Sequence, residues 1–227
     1  MEARIGKLDP AATRKLSHHV RDLLRDALVS GRFRAGERLN ERDLAAELGV
    51  STTPIKEALQ RLQMDGLVRI EPRRGIFCSY DARQAREMFL ARAALESMIA
   101  AEAARNSNDA QRAALEDCCG KIDRATSTGN VKNLIALNGT LHGLIQEASG
   151  CQYLVSLQQG LDIYENDARK VLLRDSSERD VVRNEHRAIV AAILGRDSVM
   201  AEGRMREHVI RSGERHVAIV FGKDKKT

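Results

Sequence analysis

The chain lacks any apolar run long enough to span a bilayer, and no charged-then-apolar leader opens it, so neither a membrane anchor nor a secretion signal is expected. Cysteine is sparse. Cys78, Cys118, Cys119 and Cys151 show no C-x-x-C or other zinc-ribbon spacing, which excludes a metal module of that kind. The adjacent Cys118 and Cys119 are expected to pack on a helix as small apolar groups rather than to pair with each other. Internal repeats and low-complexity tracts are absent too. Charge of one sign is barely in excess: 37 Lys+Arg against 32 Asp+Glu leave a net +5 on 227 residues. Residues 1–80 carry 15 against 11, a balance of +4, and the remainder carries 22 against 21, a balance of +1. The small surplus thus sits in the first part, as an electrostatic footprint for nucleic acid would. The length suits one large domain or two modest ones.

What is present begins with Leu39–Glu71, which reads as two short helices, a tight turn and a strand. Gly49 follows the periodic residues Leu44, Ala45 and Leu48, where a helix end favours a residue tolerant of positive φ. Ser51 offers an N-cap, and Pro54 falls in the first turn of the next helix, where a missing N–H costs nothing. Ile55, Ala58, Leu59 and Leu62 then recur at helical spacing and predict one buried face. The opposite face carries Thr52, Thr53, Lys56 and Gln60, which can reach phosphates and base edges. This is a helix-turn-helix, whose second helix enters the major groove.

A preceding helix is predicted over about Ala12–Ser30, stopping at Gly31. After the recognition helix, Gly66 ends it, Leu67–Ile70 reads as a strand, Pro72–Gly75 as a turn and Ile76–Cys78 as a second strand. The result is a two-stranded wing tipped by Arg73, Arg74 and Gly75. Either arginine can lie in the minor groove or on the backbone, and Gly75 would let the chain approach closely.

The run GERLNERDLAAELGVSTTPIKEALQRLQMDGLVRIEPRRG is very similar to the DNA-binding domain of GntR-type bacterial transcription regulators, without a gap. The resemblance implies a contact set of Arg42, Thr52, Thr53, Lys56 and the wing residues Arg73, Arg74 and Gly75. Arginine is frequent in that family at positions 52 and 56. Threonine at 52 removes a bidentate guanine reader, so an altered operator is expected. The resemblance also implies reduced thiols and a cytoplasmic location.

Ser79-Tyr80-Asp81 reads as a seam. The expected organisation is a winged helix-turn-helix domain over 1–79, an antiparallel all-α bundle over 80–221 and a disordered tail over 222–227, a mainly α fold. The first helix of the bundle runs from a cap at Asp81 to about Arg105, and others occupy about 109–127, 131–148, 151–174, 178–194 and 197–220. Gly129, Gly150, Asp175-Ser176-Ser177 and Gly195 mark the breaks between them.

Within the bundle, Asn138 and His142 are four residues apart and share one helix face, while His186 and His208 lie on two later helices. Three imidazoles and a side-chain oxygen from three helices make a ligand set for a divalent transition metal. All three histidines sit beside apolar residues, unlike idle surface groups. His18, His19 and His216 fall outside the set and read as ordinary exposed or helix-end residues.

The order Arg92-x-x-x-Glu96, Asn138-x-x-x-His142 followed by Ala148-Ser149, Glu185-His186, then His208 resembles the FCD effector-binding domain of FadR-like GntR regulators, over roughly Asp81–Phe221. The resemblance implies a metal at these four positions, zinc suiting the imidazoles with nickel, manganese, iron or cobalt as alternatives. It also implies a small organic acid as effector, its carboxylate on the metal and near an arginine, for which Arg92 is the candidate. A salt bridge to Glu96 is the plainer role for that residue. Aspartate is more usual at 138. The neutral amide leaves the metal its full charge, favouring an anionic ligand while lowering affinity for the metal itself. The resemblance further implies a homodimer on palindromic DNA, with repression the commoner outcome. Two rivals stand beside this reading. One is a metal-dependent enzyme fused to a DNA-binding domain, although no His-Glu-x-x-His places a general base beside the ligands and Glu185 points elsewhere on an ideal helix. The other is a dimerisation module whose metal is purely structural.

Overall fold

A glycine-free segment with proline at its first position opens the described chain as α1, Pro10–Val29. The computed structural model describes residues 10–159, 161 and 172–222. Val20, Leu24, Ala27 and Leu28 point inward from α1 at helical spacing and pack against α3. Gly31, at φ 75°, turns the chain out of the helix.

β1 (Arg38–Leu39) then leads through Asn40 into α2 (Glu41–Leu48). The Asn40 side chain accepts from the Arg42 amide at 3.0 Å, and Gly49 closes α2 in the left-handed region at φ 64°. Next comes α3 (Thr52–Met64), which buries Pro54, Ile55, Ala58, Leu59 and Leu62. Ser51 occupies the N-cap position as expected, but its side chain makes no capping hydrogen bond. The proline already removes one of the amides such a cap would serve.

β2 (Val68–Glu71) and β3 (Gly75–Cys78) form the wing hairpin, with Ile70 opposite Ile76. The sheet is not two-stranded, however. β1 pairs antiparallel with β3, Leu39 opposite Ile76, giving three strands in the order β1-β3-β2. A two-residue strand is too short to show the alternation by which strands are read from sequence.

The chain forms two compact units, the first ending at Asp81 and the second starting at Ala82. The second is helical throughout its described residues: α4 (Ala82–Asn106), α5 (Asp109–Ser127), α6 (Val131–Ser149), α7 (Gln152–Gln159), α8 (Ser176–Leu194) and α9 (Ser198–Phe221). Local chemistry sets the boundaries. Asn108 and Gln111 form a reciprocal capping box on α5, and Asn130, Asp175 and Asp197 cap α6, α8 and α9. Gly129 and Gly150 take left-handed conformations, but Gly195 stays at φ −75° and Arg196 makes the left-handed turn at φ 57°. Residues 172–174 are also helical, whereas the rest of the helix expected past Gln159, and tail residues 223–227, lie outside the described residues.

α4 packs along α6 and α9, and α5 against α6 and α8, around a core including Phe89, Ile99, Leu115, Leu141, Ile145, Ile189 and Met205. The α4–α9 crossing is tight: a Cβ added to Gly213 would fall 2.4 Å from the Phe89 ring. The four cysteines are free, and Cys118 is buried with its thiol donating to the Leu137 carbonyl at 3.7 Å. Among the described residues no helix is long and apolar enough to cross a membrane.

Candidate functional site

The helical spacing of α6 puts Asn138 and His142 on its buried face, and α8 and α9 bring in His186 and His208. One ring nitrogen from each histidine lies within 4.8 Å of the others. The ring centroids are 4.8 to 5.7 Å apart, and all three rings are buried.

Two of the rings are tied from behind by carboxylates. Glu96 Oε2 lies 3.1 Å from His142 Nδ1, and its other oxygen accepts from Arg92 Nη2 at 2.6 Å and Nε at 3.0 Å. Glu185 Oε2 lies 2.7 Å from His208 Nδ1 and accepts from Arg211 Nη2 at 2.9 Å. Arg211 in turn reaches Glu178 at 2.6 Å, and Arg215 joins Glu178 to Asp175. Burial alone would raise the Glu96 carboxyl, but the Arg92 guanidinium and His142 outweigh it and hold it well below the ordinary range. Glu185 is lowered in the same way against its own desolvation, by His208 and Arg211.

This arrangement fits a metal. With Nδ1 engaged by a carboxylate, Nε2 is the nitrogen left to bind a cation, and an anionic partner on the far side fixes the tautomer and raises ligand basicity. Imidazoles from three helices suit zinc and its first-row neighbours.

His142 and His208 face a narrow cavity of about 30 Å³. Arg92, Asn138, His142, His208 and Ser212 supply its polar lining, and Phe89, Leu172, Leu173, Val182 and Val209 supply apolar walls. Arg92 is buried rather than on a helix surface. It serves both Glu96 and this cavity, with its guanidinium carbon 5.4 Å from the Phe89 ring centre.

One expectation fails outright. His216 is not an exposed or helix-end residue but is fully buried, its ring 5.6 Å from that of Phe89, and burial pushes its pKa down to about 4. It sits on the same inward stripe of α9 as Met205, His208, Val209 and Gly213, a periodicity that would have found it. His18 and His19 are exposed as expected. Sequence reasoning anticipated the Arg92–Glu96 salt bridge but missed that Glu96 and Glu185 each engage a histidine ring. The latter adjoins His186 in the chain yet bonds to the histidine of another helix.

In the first unit, Thr53, Lys56 and Gln60 are exposed on α3, Thr52 is half-buried, and Arg42 is exposed in the first turn of α2. Arg73 and Arg74 stand exposed at the wing tip, Arg73 at φ 64° and Gly75 at φ 123°. Lys56 Nζ lies 3.8 Å from Glu41, and Arg74 lies 2.6 Å from Glu71. The space opened by Gly75 has an occupant from within the chain. A Cβ there would meet Arg38 Nε at 2.8 Å.

Comparison with known proteins agrees with both units. The profile of the FCD domain matches residues 87–211, and that of the bacterial regulatory proteins of the gntR family matches residues 16–78. The HTH-type transcriptional repressor RspR of Escherichia coli (strain K12) is 24% identical over 198 residues, covering 87% of this chain and 87% of that protein. An uncharacterized HTH-type transcriptional regulator, YdhC of Bacillus subtilis (strain 168), is 26% identical over 187 residues, 82% of this chain and 84% of the relative. Among solved structures, E. coli McbR/YncC shares the fold with a TM-score of 0.63 at 23% identity, covering 92% of this chain and 99% of that one. The chain therefore belongs to the gntR family of bacterial regulatory proteins, in the FadR-like subgroup that carries an FCD domain, and is a DNA-binding transcription regulator rather than an enzyme.

Proposed function

We propose that the protein is a cytoplasmic, homodimeric repressor whose bundle binds a small carboxylate at a metal and thereby alters the fit of two DNA-binding domains to a palindromic operator. Residues 1–79 read DNA and residues 80–221 bind effector and form the dimer. Asn138, His142, His186 and His208 hold the metal, zinc being the best match to the donor set. When bound, the metal supplies the positive charge that an effector carboxylate seeks, undiminished because Asn138 is neutral. Arg92 meets the same carboxylate, and the apolar walls take the rest of a small acid. A cavity of about 30 Å³ is room for water rather than for an organic acid, so binding an acid calls for a more open arrangement of the site. A ligand that favours the open arrangement has the differential affinity for two states that any effect on DNA requires. Repression is the outcome named for the relative RspR.

The observation that carries this reading is the packing of three buried imidazoles within 4.8 Å of one another, two of them oriented by carboxylates. Native mass spectrometry of the untagged protein tests it. A dimer with one divalent metal per chain, gaining the mass of an acid when small carboxylates are added, is the expected result. A dimer that carries no metal and takes up none of the divalent ions supplied would remove the site and, with it, the effector mechanism.

A further inference from the structure

Arg38 lies on β1, the strand that sequence periodicity did not reveal. Its side chain is exposed and lies against the wing glycine: a Cβ on Gly75 would approach Arg38 Nε to 2.8 Å, Nη2 to 3.4 Å and Cζ to 3.5 Å. A φ of 123° is what favours glycine at 75; the exposed tip of Arg38 could swing aside from a Cβ, so its close approach records where the guanidinium rests rather than a second demand for glycine. Arg38 borders two adjoining clefts. One runs between α3 and the wing, shared with Lys56, Gln60 and Arg73; the other lies at the start of α2, shared with Asn40 and Arg42. It therefore sits where the recognition helix, α2 and the wing converge.

Its charge is also uncommitted. Among the described residues no carboxylate pairs with Arg38, as none does with Arg42 or Arg73, whereas Lys56 lies 3.8 Å from Glu41 and Arg74 is paired with Glu71. A paired cation must leave its carboxylate before it can serve a phosphate. An unpaired guanidinium exchanges only counterions and water, and its fork of donors matches phosphate geometry. From these observations we propose that Arg38 is a phosphate-anchoring residue of the DNA-binding surface, its guanidinium resting against the wing at Gly75. The proposal rests on the DNA binding that family membership carries, and adds to it a contact outside the recognition helix and the wing tip.

The test is fluorescence anisotropy of the full-length protein on random-sequence duplexes about three helical turns long, titrated between about 50 and 200 mM salt. Arg38→Ala is expected to weaken binding alike on every duplex and to flatten the log K against log salt slope by about 0.9 for each chain bound. Arg38→Lys should keep most of that slope, because a point charge can still meet a phosphate. Arg83→Ala, on α4, is the control that should leave the slope unchanged, with thermal melts confirming that each variant is folded. A slope for Arg38→Ala equal to the parent's would overturn the proposal, as would a loss confined to one duplex sequence. Failure of the parent to bind any duplex would instead strike the DNA-binding assignment itself.

Discussion

Replacing Glu185 by glutamine asks whether the imidazole cluster is built to hold a cation. Glutamine keeps the side-chain length and an acceptor oxygen, so His208 Nδ1, 2.7 Å away, retains an orienting partner. The negative charge that raises the basicity of His208 Nε2 is lost. Outer partners of this kind contribute about 10–100-fold to metal affinity, or about 1.4–2.7 kcal/mol. The lower end is expected here, because the Glu185 side chain is 23% exposed and its partner Arg211 is 31% exposed, so solvent screens the pair. Glu96→Gln provides the contrast. Glu96 is only 2% exposed and holds the buried Arg92, so removing its charge leaves a guanidinium without its anion, a change that costs about 3–5 kcal/mol of stability in comparable cases. Competition against a chromophoric zinc chelator, paired with urea unfolding of the stripped protein, separates the two effects. Glu185→Gln should lose about tenfold in affinity with a modest change in unfolding midpoint, and Glu96→Gln should lose both affinity and stability. Unchanged zinc affinity in Glu185→Gln would show that this carboxylate serves only the fold and would refute the argument.

Three further outcomes follow from the same geometry. Asn138→Asp brings an anionic oxygen into the cluster and should tighten zinc binding in the chelator competition while weakening the uptake of added carboxylates, which then meet a site of lower positive charge. Gly213→Ala puts a methyl 2.4 Å from the Phe89 ring and should lower stability by about 1–3 kcal/mol in urea, with Phe89→Leu restoring part of the loss. His216, lowered by burial from 6.5 to about 4, makes the unfolded chain bind the extra proton between those values, so its contribution to stability is lost as pH falls through that window. The loss amounts to about 3 kcal/mol in full, and in chelator-treated protein His216→Leu should flatten the fall in urea midpoint between neutral pH and about pH 5.

The features that could be read in the sequence are those that short stretches of chain decide. Gly49 and Pro54 mark the turn of the helix-turn-helix because one tolerates a left-handed backbone and the other lacks an amide, and both facts hold whatever surrounds them. The breaks at Gly129, Gly150 and Asp175 are equally local. Where the rule is statistical rather than steric it weakens: Gly195 ends α8 without the left-handed turn, which Arg196 makes instead. β1 was hidden because two residues carry no period, and its existence depends on β3 arriving beside it from far along the chain.

The candidate site divides along the same line. Helical periodicity states which residues of one helix face inward, and it put Asn138 and His142 on the buried side of α6. The same reasoning, carried along α9, would have turned His216 inward with Val209 and Gly213, and along α4 would have turned Arg92 and Glu96 inward with Phe89 and Ala93. A charged pair on an inward stripe is itself a signal, since burial of a lone charge costs more than a helix can supply and each member must find an opposite or a proton donor. Period alone does not say which group on another helix that donor will be. Glu96 finds His142 across α4 and α6, and Glu185 finds His208 across α8 and α9, through helix crossings that no local pattern records. These contacts decide the tautomers of two rings, and with them whether three buried histidines are packing residues or ligands.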